Sequence, residues 1–194
     1  MNTLSRDQVK VSRRISMILR HRPESAGLTL DANGWAPVAD LLGALGITRA
    51  ELDVIVENND KSRFAIARRD DGVDWIRASQ GHSRRVEIDL DLPPAEPPAV
   101  LFHGTPRDNL DPILRDGLRP GSRHHVHLSK DVPTALVVGR RRSADVVVFE
   151  VDAARMAADG HVFHRSENGV WLTLAVPSGY LSLKRTNPQQ GWLI

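Results

Sequence analysis

The chain has no cysteine among its 194 residues, which removes disulfides, thiolate nucleophiles and thiolate metal sites together. No apolar run of signal length follows Met1-Asn2-Thr3-Leu4-Ser5, and no segment approaches membrane-span length, so the default expectation is a soluble, cytoplasmic protein. Neither a Gly-x-Gly-x-x-Gly turn nor a Walker loop occurs, which disfavours a Rossmann or P-loop nucleotide site. A polybasic mat is missing as well. Residues 1–88 carry 14 basic and 12 acidic side chains, residues 89–99 carry three acids and no base, and residues 100–194 carry 12 basic and 9 acidic. Strong non-specific nucleic-acid binding is not expected from such a balance. Lysine is scarce, since arginine supplies 22 of the 26 basic residues; a GC-rich genome alone can cause that. Carboxylates are nearly absent from the candidate sites described below, which argues against two-carboxylate hydrolysis.

What is present divides the chain in two. Residues 89–99 hold four prolines and three acids and read as an extended spacer, about 3 Å per residue and so on the order of 30 Å. Such a spacer allows lobes over 1–88 and 100–194 to lie side by side and share a cleft. In the first lobe, Ser5 with Gln8 forms a capping box, and Val11, Ile15, Ile18 and Leu19 make the buried stripe of a helix over 6–21, stopped by Pro23. A second box, Thr48 with Glu51, starts a helix through about 57, after a shorter helix over 38–45. Residues 64–67 and 73–78 read as a β-hairpin across Arg69-Asp70-Asp71-Gly72. Three helices followed by a hairpin is the order of a winged helix, a fold often used on nucleic acids. The second lobe alternates strands, at 100–103, 126–129, 146–151, 170–174 and 180–183, with helices at 109–116 and 132–139. This is an α+β pattern of small sheets packed together.

Arginine and histidine recur at every candidate site. Arg20-His21-Arg22 closes the first helix, where cations also suit the helix dipole; on the wheel Arg20 lies opposite the buried stripe and His21 on its rim. Lys61 and Arg63 flank a strand start, a common place for solvated charge. His103 stands before Gly104-Thr105, a small, flexible pair that lets a ligand approach the backbone. Arg123 follows Gly121 at the mouth of a strand on which His125 and His127 share one face and His124 lies on the other. A metal site there would want a third ligand such as His103, His161 or His164, and no acid or cysteine is near; the reading goes without metal. Trp171, taken alone, is a core residue, and Gln80-Gly81-His82-Ser83 a polar connector. Arginine forks beside histidines suit chemistry on a highly anionic group.

Taken in order, these segments resemble the RNA 2′-phosphotransferase family. The matching stretches are Leu19-Arg20-His21, Asp31 with Gly34-Trp35, Asp60-Lys61-Ser62-Arg63-Phe64, Ile76 to Ser83 through Gln80-Gly81-His82, Phe102-His103-Gly104-Thr105, Arg123-x-His125-Val126-His127-Leu128-Ser129 and Asn168-Gly169-Val170-Trp171-Leu172-Thr173. Phe102 stands where a tyrosine is frequent, and residues 184–194 match nothing.

The resemblance implies an N-terminal winged-helix RNA lobe and a C-terminal NAD-binding lobe with an ADP-ribosyltransferase-like split sheet. It implies that Arg20, His21, Arg63 and Arg123 carry catalysis, that Lys61 meets a neighbouring RNA phosphate together with Arg20, His21 and Arg63, and that His103, Gly104, Thr105, His127, Ser129 and Val170 hold NAD. His103, His127 and Val170 fall at the fold's three signature strand positions. The implied reaction consumes NAD as a co-substrate and removes an internal 2′-phosphate from a tRNA-like RNA, in a monomer without metal or membrane. Two other readings remain open from sequence: an ADP-ribosyltransferase acting on other nucleic-acid ends or on protein, and a non-catalytic RNA binder.

Overall fold

A computed structural model describes residues 4–58 and 63–184. It separates into two compact units that do not follow chain order throughout. The first holds residues through Leu92 together with Ser122–His124 and Ser166–Asn168; the second holds the remainder.

The first unit begins with helix α1, Arg6–His21. Ser5 Oγ accepts from the Gln8 N–H at 3.2 Å, and Gln8 Oε1 accepts from the Ser5 N–H at 2.8 Å. The expected box is therefore formed and satisfies two otherwise orphaned donors. Pro23 ends the helix and opens a short 3-10 turn, Pro23–Ala26. Helices α2 (Val38–Leu45) and α3 (Arg49–Glu57) follow; Gly46, in the left-handed region at φ 65°, closes the first, and the Thr48–Glu51 box opens the second. Strands β2 (Phe64–Arg68) and β3 (Asp74–Ala78) make the hairpin. The structure adds a strand the sequence did not announce, β1 (Trp35–Pro37), paired antiparallel to β3 so that the sheet runs β1-β3-β2. Its turn is built by Asp31, whose carboxylate accepts the N–H groups of Asn33 and Trp35, each at 2.9 Å. Ile15, Ile18 and Leu19 of α1 join Leu41, Leu52, Ile55, Phe64 and Ile76 in one core.

In the second unit two three-stranded antiparallel sheets share a core. One has the order β4-β6-β9 (Val100–Pro106, Val146–Asp152, Leu181–Lys184) and the other β5-β8-β7 (Val126–Leu128, Trp171–Thr173, Phe163–Arg165). Leu101 and Val151 from the first sheet pack with Val126, Leu128, Phe163 and Trp171 from the second, so Trp171 is core as expected. Phe102 and Ser129 exchange backbone hydrogen bonds at 2.8 Å each way, joining the sheets where β4 meets the end of β5. Helices α4 (Leu110–Asp116), α5 (Val132–Gly139) and α6 (Ala153–Ala158) complete the unit. Asp131 caps α5 on the Thr134 N–H at 2.7 Å. The whole is α+β, built from small antiparallel sheets.

The proline-rich stretch is not a free spacer. Asp89 N–H donates to Ala32 C=O at 2.8 Å within the first unit, and Ala95 N–H donates to Phe163 C=O at 2.8 Å within the second. Two of its backbone donors are thus taken up, one within each unit.

Candidate active site

Beyond β3 the chain continues as Ser79-Gln80-Gly81-His82-Ser83, and three expected catalytic arginines lie along it. The Ser79 N–H donates to the Arg63 carbonyl at 2.9 Å, and the Ser83 N–H donates to the Arg20 carbonyl at 2.9 Å. Ser83 also bridges Arg123 in antiparallel fashion. The Arg20 guanidinium lies over Gly81, where a Cβ would stand 3.8 Å from its Cδ and Nη1. Four residues of extended chain reach at most about 14 Å, so this one segment brings together groups from positions 20, 63 and 123. The link to Arg123 is reinforced by neighbours. Arg84 N–H donates to Ser122 C=O at 2.9 Å, and Arg84 Nε donates to Arg123 C=O at 3.0 Å.

His124 locks the same joint, a role that local sequence did not suggest. Its Nε2 lies 3.2 Å from the Ser83 carbonyl and 3.0 Å from the Val86 carbonyl. Carbonyls only accept, so Nε2 carries the proton. His82 is buried, only 3% exposed, with its Nε2 against Gly34: a Cβ on that glycine would lie 3.5 Å from the ring nitrogen and 2.9 Å from Ile88 Cδ1. Gly34 holds φ 81°, so conformation and space both call for glycine there. The matching stretches around Gly34-Trp35 and Gln80-Gly81-His82 therefore meet. Sequence treated the latter as a connector; its only signal was its place in the family pattern.

Burial, reinforced by neighbouring positive charge, sets the protonation of these histidines. Burial first, then Arg20, His124, His21 and Arg77, push the His82 imidazole down to about 3. His21 reaches solvent, yet partial burial and the charges of Arg20 and Arg123 hold it below its ordinary range. Both rings are thus neutral near pH 7. Arg77 donates to Glu167 Oε1 at 2.8 Å and lies 4.6 Å over the Trp35 ring, which ties Ser166–Asn168 to the first unit. Lys61 lies outside the described residues.

In the second unit, His103 and Thr105 share one face of β4, and His127 and Ser129 alternate along β5 and its end, beside the Phe102–Ser129 junction. His103 Nδ1 donates to the His127 carbonyl at 3.1 Å. Burial lowers the His103 pKa, so the ring stays neutral with Nε2 left as an acceptor. Thr105 Oγ1 accepts from Asn109 Nδ2 at 2.9 Å. Gly104 faces the other way: a Cβ there would stand 1.9 Å from the Ala135 carbonyl of α5. Its missing side chain admits a helix, whereas the sequence suggested room for a ligand. Gly139 does the same from the α5 side, at 3.0 Å from the Gly104 carbonyl carbon. Val170 directly precedes β8. His125 and His164 meet edge to face at 5.9 Å, and no three metal-ligating side chains converge among the described residues.

Set beside known proteins, residues 6–175 match the model of the family described as RNA 2′-phosphotransferase, Tpt1 / KptA family. A probable RNA 2′-phosphotransferase of Rhizobium johnstonii is 50% identical over 95% of this chain and 98% of its own length. Its counterpart in Streptomyces griseus is 53% identical over 92% and 98%, and that of Trichormus variabilis 48% over 91% and 96%. With a family model spanning most of its length and relatives this similar along nearly the whole of theirs, the chain belongs to the RNA 2′-phosphotransferase family.

Proposed function

We propose that this protein is an NAD-dependent RNA 2′-phosphotransferase, with the first unit as a winged-helix RNA lobe and the second as an ADP-ribosyltransferase-like NAD lobe. The observation that carries the reading is the gathering of Arg20, Arg63 and Arg123 along Ser79–Ser83. Three helices with a three-stranded sheet, and a pair of small antiparallel sheets, support the two assignments.

The reaction has two steps. An RNA 2′-phosphate oxygen attacks C1″ of the nicotinamide ribose, and nicotinamide leaves with the bonding electrons. The phosphate is already nucleophilic, so the protein's task is to hold it in line. The ribose O2″ then attacks phosphorus, the RNA 2′-oxygen leaves and takes up a proton, and the second product is ADP-ribose 1″,2″-cyclic phosphate. Arg20 and His21 hold the 2′-phosphate, while Arg63 and Arg123 stabilise its non-bridging oxygens during transfer. Each charge-assisted hydrogen bond contributes about 1.5–3 kcal/mol, so three arginines hold a dianion that one could not. Lys61 meets an adjoining RNA phosphate. His103, with a neutral ring and Nε2 as acceptor, holds NAD together with Gly104 through its backbone, Thr105, His127, Ser129 and Val170. No step needs a metal.

The test is incubation with NAD and either an RNA carrying an internal 2′-phosphate or a 5′-phosphorylated control. Nicotinamide release and conversion to a 2′-hydroxyl with the first RNA alone is the expected result. Modification of the control, with the 2′-phosphate left intact, would replace this reading by ADP-ribosyl transfer to other ends.

A further inference from the structure

Helix α1 concentrates the charge of the chain. Among Arg6–His21 five residues are lysine or arginine and one is acidic, a net +4, against +2 for the whole protein. At 100° per residue, Arg6, Lys10, Arg13, Arg14, Arg20 and His21 all fall within an arc of about 120°. Ser12, Ile15, Ile18 and Leu19 occupy the opposite side and are buried. Arg6, Lys10, Arg13 and Arg14 are exposed. Asp7 lies at the edge of the arc and pairs with Lys10 at 2.8 Å, both side chains largely in solvent, where an ion pair contributes little. Arg6, Arg13 and Arg14 have no carboxylate partner among the described residues.

Helix stability does not account for this arc. Arg20 and His21 sit at the carbonyl end, where the dipole favours cations, but Arg6 sits in the first turn, where it disfavours them. Lys10 faces Arg6, Arg13 and Arg14 at spacings of three or four, and like charges at those spacings destabilise a helix. A second, polyanionic partner would reverse that cost. The arc rises about 22 Å from Arg6 to His21 at 1.5 Å per residue. On the order of six nucleotides of a stacked strand, at 3.4 Å each, cover the same length.

We propose that the outer arc of α1 is a track for the RNA backbone flanking the reactive 2′-phosphate. Arg6, Lys10, Arg13 and Arg14 hold phosphates that take no part in the chemistry, and the track ends at Arg20 and His21. The assignment rests on the function proposed above, which places the reactive group at that end. An anionic membrane fits the arc less well, because Met17, 39% exposed, is its one apolar side chain and the apolar side of α1 is in the core.

The test is the triple variant Arg6→Gln, Arg13→Gln, Arg14→Gln, since glutamine retains helix propensity. Two substrates are compared: a 2′-phosphorylated trinucleotide, and an RNA of about twenty nucleotides with the same phosphate near its middle, long enough to cover the roughly six-nucleotide track. The variant should keep kcat and KM on the trinucleotide, while KM for the longer RNA rises about tenfold or more at unchanged kcat, consistent with losing about three phosphate contacts. Anisotropy with the longer RNA lacking its 2′-phosphate reads the electrostatics directly. The slope of log affinity on log salt should fall by about 2, at about 0.7 per lost contact, so that between about 50 and 200 mM salt the wild type loses about twentyfold more affinity than the variant. Equal slopes would overturn the track. Equal losses on both RNAs would overturn it too, assigning α1 to the integrity of the site. Weaker binding to phosphatidylserine vesicles with RNA binding unchanged would replace it with a membrane surface. If the wild type turns over neither RNA, the proposed function fails, and the salt slopes alone decide the track.

Discussion

The backbone N–H of Ser83 donates to the carbonyl of Arg20 at 2.9 Å, and the same residue bridges Arg123. One residue of a short connector thus joins a helix end near the start of the chain to a strand mouth a hundred positions later. The proposed function assigns the chemistry to the guanidinium groups, while the main chain of Ser79–Ser83 ties together the backbones that carry them.

Arg123→Ala follows from that division. Alanine keeps the backbone bonds of this position, to Arg84 Nε and Ser83, so the joint they form should persist and the variant should still fold. The second step should slow about a hundredfold or more, and ADP-ribosylated RNA phosphate should accumulate on a denaturing gel. Normal turnover would refute the role. With one neighbouring cation gone, the His21 imidazole should also titrate at higher pH, which ring-proton NMR can follow.

His82 makes the fold sensitive to mild acid. Its folded pKa of about 3 lies below the ordinary 6.5, so the unfolded chain takes up this proton first. The stability it secures is complete above pH 6.5 and is lost as pH falls from there toward about 3, by up to about 1.4 kcal/mol per unit. Arg20, His124, His21 and Arg77 all oppose its protonation. Urea midpoints measured between about pH 7 and 5, above most carboxylate titration, should fall less steeply for His82→Gln than for the wild type. Parallel curves would mean that the ring is not held neutral.

Gly104→Ala tests the close passage of α5 over β4. The new Cβ would lie 1.9 Å from the Ala135 carbonyl, a backbone atom that cannot step aside, so a loss of about 3 kcal/mol or more is expected. Gly121→Ala provides the comparison: its Cβ meets nothing within 4 Å, and only φ 63° opposes it, a cost of about 1–2 kcal/mol. Chemical denaturation of the two variants ranks them, and the reverse order would contradict the packing.

His103→Ala addresses the proposed NAD lobe. Loss of the half-buried ring and of its donor to the His127 carbonyl should raise KM for NAD about tenfold or more, equivalent to about 1.4 kcal/mol. KM for RNA should stay the same. A rise confined to RNA in steady-state kinetics would move His103 out of the nucleotide site.

Much of the local structure was legible because its causes are local. Capping boxes at Ser5 and Thr48, Pro23, and Asp131 before α5 place helix ends through side chains three residues apart. Strand β1 was not legible: three residues ending in Pro37 show no alternation, and it exists because Trp35 pairs with Arg77. The same holds for β7, three residues long and defined by its pairing to β8. Net charge by halves concealed the basic arc of α1, since sorting charges by face needs the helix as well as the count. The candidate set of arginines and histidines was named from sequence, while His124, which pins Ser83, gave no local sign.

Residue types and their order, read alone, settled that this chain would fold as helices and small sheets, and they pointed to arginine and histidine as the groups that would meet an anion. Those properties belong to side chains and to spacings of a few residues, which any stretch of chain displays by itself. Tertiary structure decided that Ser83 would join Arg20 to Arg123, that Gly104 would face a helix, and that His82 would be buried against Gly34. Each of these is a meeting of segments far apart in the chain, set by backbone pairing and close packing that no local pattern encodes.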